Sequence, residues 1–122
     1  MLVSLPDGDM MIDSADEIEA IIRKKAAEGV SEVWISDRSK PYPALAVLLN
    51  REYACVDYFG ENEDDMWRSV GSKNTEVVFS AGGTEWTAPT DAVISVDEAV
   101  DCLRQFCNDL KRPVCIKWQD GV

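Results

Sequence analysis

The stretch Ser95–Trp118, SVDEAVDCLRQFCNDLKRPVCIKW, decides the fold class. Ser95 and Glu98 have the S-x-x-E spacing of a capping box, in which hydroxyl and carboxylate satisfy backbone N–H groups that a helix start leaves without partners. Behind the cap, Val96, Ala99, Val100, Leu103, Phe106, Cys107 and Leu110 recur at helical steps, with Asp97, Asp101, Arg104 and Asp109 outside the stripe. Lys111 and Arg112 suit a helix C-terminus, and Pro113 forbids continuation. Val114-Cys115-Ile116-Lys117-Trp118 then reads as a strand, and its apolar character places it inside a sheet rather than at an edge.

Upstream, turn chemistry separates short β-rich runs. Asp7-Gly8-Asp9 reads as a turn before a short strand, Met10-Met11-Ile12. Ser14 and Glu17 repeat the capping spacing ahead of a helix carrying Ile18, Ile21, Ile22 and Ala26, which Gly29 stops. Val33-Trp34-Ile35 is a strand, and the proline-bearing run Ser36–Pro43 is a loop. Ala44–Leu49 fits a buried strand, Tyr53–Phe59 and Met66–Val70 are further strands, and Thr75–Ser80 has the highest β-propensity. Gly82-Gly83 is a turn across which Glu85-Trp86-Thr87 pairs back as a hairpin. The order predicts an α+β fold: a mainly antiparallel sheet of about five to six strands with two helices on one face, a two-layer sandwich. Strand order between Val33 and Phe79 has several solutions.

At 122 residues the chain is expected to be a single domain, 1–122, burying about two thirds of its unfolded surface. Twelve basic residues against 23 acidic ones give a net charge of −11. Direct nucleic-acid binding needs clustered Lys and Arg, so that ligand class is set aside. A surface this acidic attracts a basic protein or cations, although acidity alone is also explained by solubility. No apolar run approaches the ~20 residues that span a bilayer, and the N-terminus lacks the basic and apolar regions of a signal peptide. A cytoplasmic location without membrane contact is expected. Cys55, Cys102, Cys107 and Cys115 read as small buried hydrophobes kept reduced.

The chain contains no histidine, which removes Ser-His-Asp and Cys-His nucleophile arrangements and, with no C-x-x-C pair, argues against zinc. The acidic turn has no EF-hand spacing, so neither metal nor cofactor is expected. Two features remain. One is the turn Glu61, Glu63, Asp64 and Asp65 with Trp67 behind it; the other is Glu85 and Trp86 beside the glycine turn. Each reads either as a solvated charge run with a core tryptophan or as a protein-binding surface. In the second reading aromatic anchors supply desolvated area and carboxylates orient a basic partner.

From Tyr53 to Trp118 the sequence resembles the type-one immunity-protein family of bacterial polymorphic toxin and contact-dependent inhibition systems. The resemblance rests on the aromatic strand Tyr53–Phe59, the Gly82-Gly83-Thr84-Glu85 turn, the Val93-Ile94-Ser95 helix entry, Ala99, Phe106, Lys111-Arg112-Pro113 and Trp118. Upstream, Tyr42-Pro43-Ala44-Leu45 matches the family's proline leading into a core strand. The resemblance implies a non-catalytic inhibitor that binds a toxin domain in the cytoplasm and blocks its active site, with a layout similar to immunity proteins paired with deaminase-like toxins. It carries over no catalytic residue.

Physical chemistry points the same way, because a toxin acting on nucleic acid needs a cationic groove that a −11 inhibitor can fill as a phosphate mimic. The expected toxin-binding residues, taken from physics, are Glu61, Glu63, Asp64, Asp65, Trp67, Glu85 and Trp86, on a monomer or weak dimer. The alternatives are a small acidic regulatory module with no toxin partner and, behind it, a metal-dependent enzyme.

Overall fold

The computed structural model describes residues 1–62 and 64–121. The chain opens with a hairpin, β1 (Leu2–Leu5) and β2 (Gly8–Met11), followed by α1 (Ala15–Glu28). β3 (Val30–Ser36), β4 (Ala44–Asn50), β5 (Tyr53–Phe59) and β6 (Met66–Val70) come next, then the hairpin β7 (Val78–Ala81) and β8 (Thr84–Thr87). A 3-10 turn at Thr90–Ala92 and the two-residue β9 (Ile94–Ser95) lead into α2 (Val96–Asp109), and β10 (Lys117–Asp120) closes the chain. Among the described residues, the main sheet runs β10-β6-β5-β4-β3-β1-β2, all pairs antiparallel, with β9 added against β5. The α+β antiparallel architecture is the one the sequence pattern predicts. No helix among the described residues is long and apolar enough to cross a membrane.

Local sequence explains the helices. At α2 the Ser95 hydroxyl accepts from the Glu98 N–H at 3.1 Å while the Glu98 carboxylate accepts from the Ser95 N–H at 3.0 Å, a complete capping box. At α1 the Ser14 hydroxyl accepts a longer bond, 3.4 Å, from the Glu17 N–H. α1 buries Ile18, Ile22 and Ala26, and α2 buries Ala99, Val100, Leu103 and Phe106. Both stripes meet Val33, Ile35, Leu45, Val47, Leu49, Ala54 and Val56 on one face of the sheet. On the solvent side Arg104 bridges Glu19 and Asp16, and Arg23 bridges Glu19 and Asp97; exposed pairs of this kind contribute little.

The opposite face is covered too. The β7–β8 hairpin lies against β3 and β4 and forms a second core with Leu48, Cys55, Val77, Phe79, Ala88 and Val93. Gly82 and Gly83 turn it with φ of 63° and 79°, the double left-handed geometry of a type I′ hairpin. β4, between two covered faces, is buried from Ala44 to Leu49, as an unbroken apolar strand should be.

Several expectations are corrected. The strand read at Val114–Trp118 is β10, which starts only at Lys117 and forms an edge of the sheet, paired to β6 alone. The Val114 N–H goes to the Gln105 side chain at 2.8 Å instead of a ladder, and Val114 is 87% exposed. Cys115 is therefore exposed rather than buried, its thiol 3.5 Å from that of buried Cys102. Thr75–Val77 is not strand, because Val77 drops into the second core and only Val78 onward pairs, with β8. The first turn falls at Pro6-Asp7, and Gly8 and Asp9 already belong to β2.

Candidate functional site

The turn between β5 and β6 carries the acidic cluster. The Gly60 N–H donates to the Asp65 carbonyl at 2.7 Å, and the Asp65 N–H donates to the Asn62 carbonyl at 3.0 Å. A Cβ at position 60 would lie 1.8 Å from an Asp65 carboxylate oxygen, so any larger residue there would push the Asp65 side chain aside. That carboxylate accepts the Trp67 indole N–H at 2.7 Å, so Asp65 is tied down while Glu61 and Asp64 are exposed. Glu61 pairs with Lys40 of the β3–β4 loop at 2.9 Å, which holds the Lys40 ammonium more firmly protonated. Glu63 lies outside the described residues. Trp67 packs on the helix side of the sheet with the Arg112 guanidinium 4.4 Å above its ring.

The second predicted feature lies across the sheet. Trp67 and Arg68 are consecutive in β6 and point to opposite faces. The Arg68 guanidinium stands 4.6 Å from the Trp86 ring and makes two bonds to Asp57, at 2.9 and 3.3 Å. Burial pushes the Asp57 carboxyl above its ordinary range, and Arg68 opposes this without cancelling it. Glu85 is exposed beside Trp86 on β8. Glu61, Asp64, Asp65 and Trp67 thus gather at one end of the sheet, while Glu85 and Trp86 belong to the hairpin on its other face.

Sequence reasoning did not single out an aromatic ridge. Trp34 stacks on Phe59 at 5.0 Å, and Tyr42 tilts against Phe59 at 6.4 Å. The register explains why: Trp34, Ala46, Asp57 and Arg68 form one row across the sheet, and Ser36, Ala44, Phe59 and Met66 form the next. The two alanines leave room for the rings above them. The Trp34 indole donates to Glu32 at 2.8 Å, and the same carboxylate accepts the Gly82 and Gly83 N–H groups at 2.9 and 3.2 Å. Small residues alternating along Ala44-Leu45-Ala46 are the available signal, and they become legible only once the partners of β4 are known.

The chemistry of these groups is that of binding. Burial pushes the Cys55 thiol up to about 12 and raises Cys102 and Cys107, the opposite of an activated nucleophile. Among the described residues no cluster of three or more Cys, Asp or Glu could hold a metal ion. What the loop end offers is aromatic area fringed by carboxylates.

Comparison with known proteins covers most of the chain. The family described as Immunity protein Imm1 matches residues 7–120, reaching past the Tyr53–Trp118 resemblance to include α1. The chain is also similar to a double-stranded DNA deaminase immunity protein of Burkholderia cenocepacia (strain H111), at 22% identity over 116 residues, covering 93% of this chain and 94% of that protein.

Proposed function

The chain belongs to the Imm1 immunity-protein family, non-catalytic proteins that neutralise a cognate toxin by binding it, and from that premise we propose that its target is a nucleic-acid-acting toxin, a deaminase or nuclease, whose active site it occludes in the cytoplasm with an acidic surface. The observation that carries this reading is the net charge of −11 together with exposed carboxylates at one end of the sheet. An enzyme that acts on nucleic acid presents a cationic groove to phosphates, and a rigid array of carboxylates competes for that groove. Steering by opposite fields speeds such encounters about 10- to 1,000-fold and weakens with salt. The name of the Burkholderia relative, an immunity protein to a double-stranded DNA deaminase, favours deamination as the chemistry being blocked.

We assign the contact surface to Glu61, Glu63, Asp64, Asp65 and Trp67. Glu85 and Trp86 join it where the toxin reaches around the sheet. A complex of ordinary size would bury on the order of 1,600 Å². The test is co-expression with the toxic C-terminal domain of the protein encoded immediately upstream. Survival of a sensitive host, a co-purifying complex and loss of the domain's activity on DNA or RNA are the expected results. A neighbour that is harmless, or kills equally with and without this chain, would overturn the reading.

A further inference from the structure

Twice in this molecule an aromatic ring with a carboxylate close by carries an arginine on its face. Arg68 stands over Trp86 while bonding Asp57, and Arg112 stands over Trp67, whose indole bonds Asp65. The cation–ring contacts among the described residues are these two. A third set, tyrosine and phenylalanine rings beside a carboxylate, has no arginine over it among the described residues. It is an open pocket of 320 Å³ floored by Tyr42 and Phe59 and rimmed by Gly60, Glu61 and Asn62. Tyr42 is 46% exposed, and Phe59 is held in place by its stack on Trp34.

The polar groups of the rim select the sign of the ligand. Two backbone donors of the turn are used internally, the Gly60 N–H by the Asp65 carbonyl and the Asp65 N–H by the Asn62 carbonyl. The ionised group at the mouth is the Glu61 carboxylate, which already holds a cation, the Lys40 ammonium at 2.9 Å. Both residues of that pair are about 60% exposed, so water competes for each and the pair is readily exchanged. A planar guanidinium gains more here than an ammonium, because it stacks on a ring and bonds a carboxylate through two N–H groups at once.

We propose that this pocket receives an arginine side chain of the toxin, with its guanidinium over Tyr42 and against Glu61, displacing Lys40. The inference rests on the toxin-binding reading above and names its anchor point. It makes Lys40 an internal competitor, which predicts effects of opposite sign at neighbouring positions.

The experiment measures binding of the toxin domain from the co-expression test to wild-type protein and to Tyr42→Ala, Glu61→Gln and Lys40→Met. Tyr42→Ala and Glu61→Gln should each weaken binding roughly tenfold, mainly through faster dissociation. Lys40→Met should tighten it about two- to fivefold, and should lose that gain when combined with Glu61→Gln. Long-range steering alone would speed association, so slower dissociation of Lys40→Met that disappears with Glu61→Gln is what marks the pocket. If Tyr42→Ala fails to fold, the exposed Glu61 and Lys40 variants still decide the matter. Wild-type binding with Glu61→Gln and Lys40→Met unchanged overturns the pocket and leaves the immunity reading standing. Absence of wild-type binding overturns both.

Discussion

Replacing Arg68 with methionine isolates its ion pair with buried Asp57 on the hairpin face of the sheet. Asp57 is 8% exposed and Arg68 21% at their side chains, joined at 2.9 Å. Loss of the guanidinium leaves a carboxylate inside the sheet with no cation beside it. Breaking a buried pair in this way costs about 3–5 kcal/mol, and the partial exposure of Arg68 places the effect near 3 kcal/mol at pH 7.5. About 1 kcal/mol of that belongs to the lost stack on Trp86 and to stem packing, and does not depend on pH. The remainder does. Burial already raises the Asp57 carboxyl in the folded wild type, with Arg68 as the restraining influence, so the variant raises it further. A carboxyl raised in the folded state is least unfavourable at low pH, where it is protonated, and its cost grows as pH climbs through the folded value. The difference between variant and wild type therefore opens between their two folded pKa values and is constant above both. Urea unfolding followed by far-ultraviolet circular dichroism at pH 7.5 and pH 5 measures it, and taking differences at each pH cancels the other carboxylates. A destabilisation near 3 kcal/mol at pH 7.5 that is smaller at pH 5 is expected, with most of the loss recovered by adding Asp57→Leu. An equal loss at both pH values, or one below 1 kcal/mol throughout, would refute the argument.

Ser95→Ala should cost about 1 kcal/mol by removing a complete capping box, and Ser14→Ala less, since its bond is 3.4 Å; chemical denaturation of the two variants gives the order. Gly71→Ala places a Cβ 1.9 Å from the Val93 carbonyl oxygen, so β6 must part from the segment leading into α2. A loss of about 3 kcal/mol follows, seen as a lower thermal midpoint. Asp64→Lys reverses an exposed charge without touching the Asp65–Trp67 bond, so folding stability should be unchanged while toxin association slows several-fold and its salt dependence flattens. Stopped-flow association across a salt series reads this directly, and an unchanged rate would remove Asp64 from the interface.

The candidate site was only partly legible in advance. The acidic turn is a run of neighbours in the sequence, so its existence follows from composition and turn chemistry alone, and Glu61 and Asp64 are exposed as such a turn implies. Trp67 and Trp86 both stand out by residue type, and in the fold each ring carries an arginine of this chain. Their placement on opposite faces follows from β6 pairing with β5 and from the hairpin folding over the far side, neither of which is local. The ridge of Trp34, Phe59 and Tyr42 is assembled from three separate segments and could not be read from any one of them.

The sequence by itself determined the elements with short-range causes: two capped amphipathic helices, the glycine-turned hairpin, the buried strand Ala44–Leu49 and the antiparallel α+β class. The anionic character of the chain is likewise written in composition. Tertiary structure decided the rest. It put β10 at an edge, turned Cys115 outward, gave the sheet a second covered face, and brought Tyr42, Phe59 and Glu61 around one pocket. The physical reason is range. Helix periodicity, caps and turns are set by residues within four or five positions, whereas strand order and facing depend on pairings between distant segments whose apolar runs are nearly interchangeable until they are packed together.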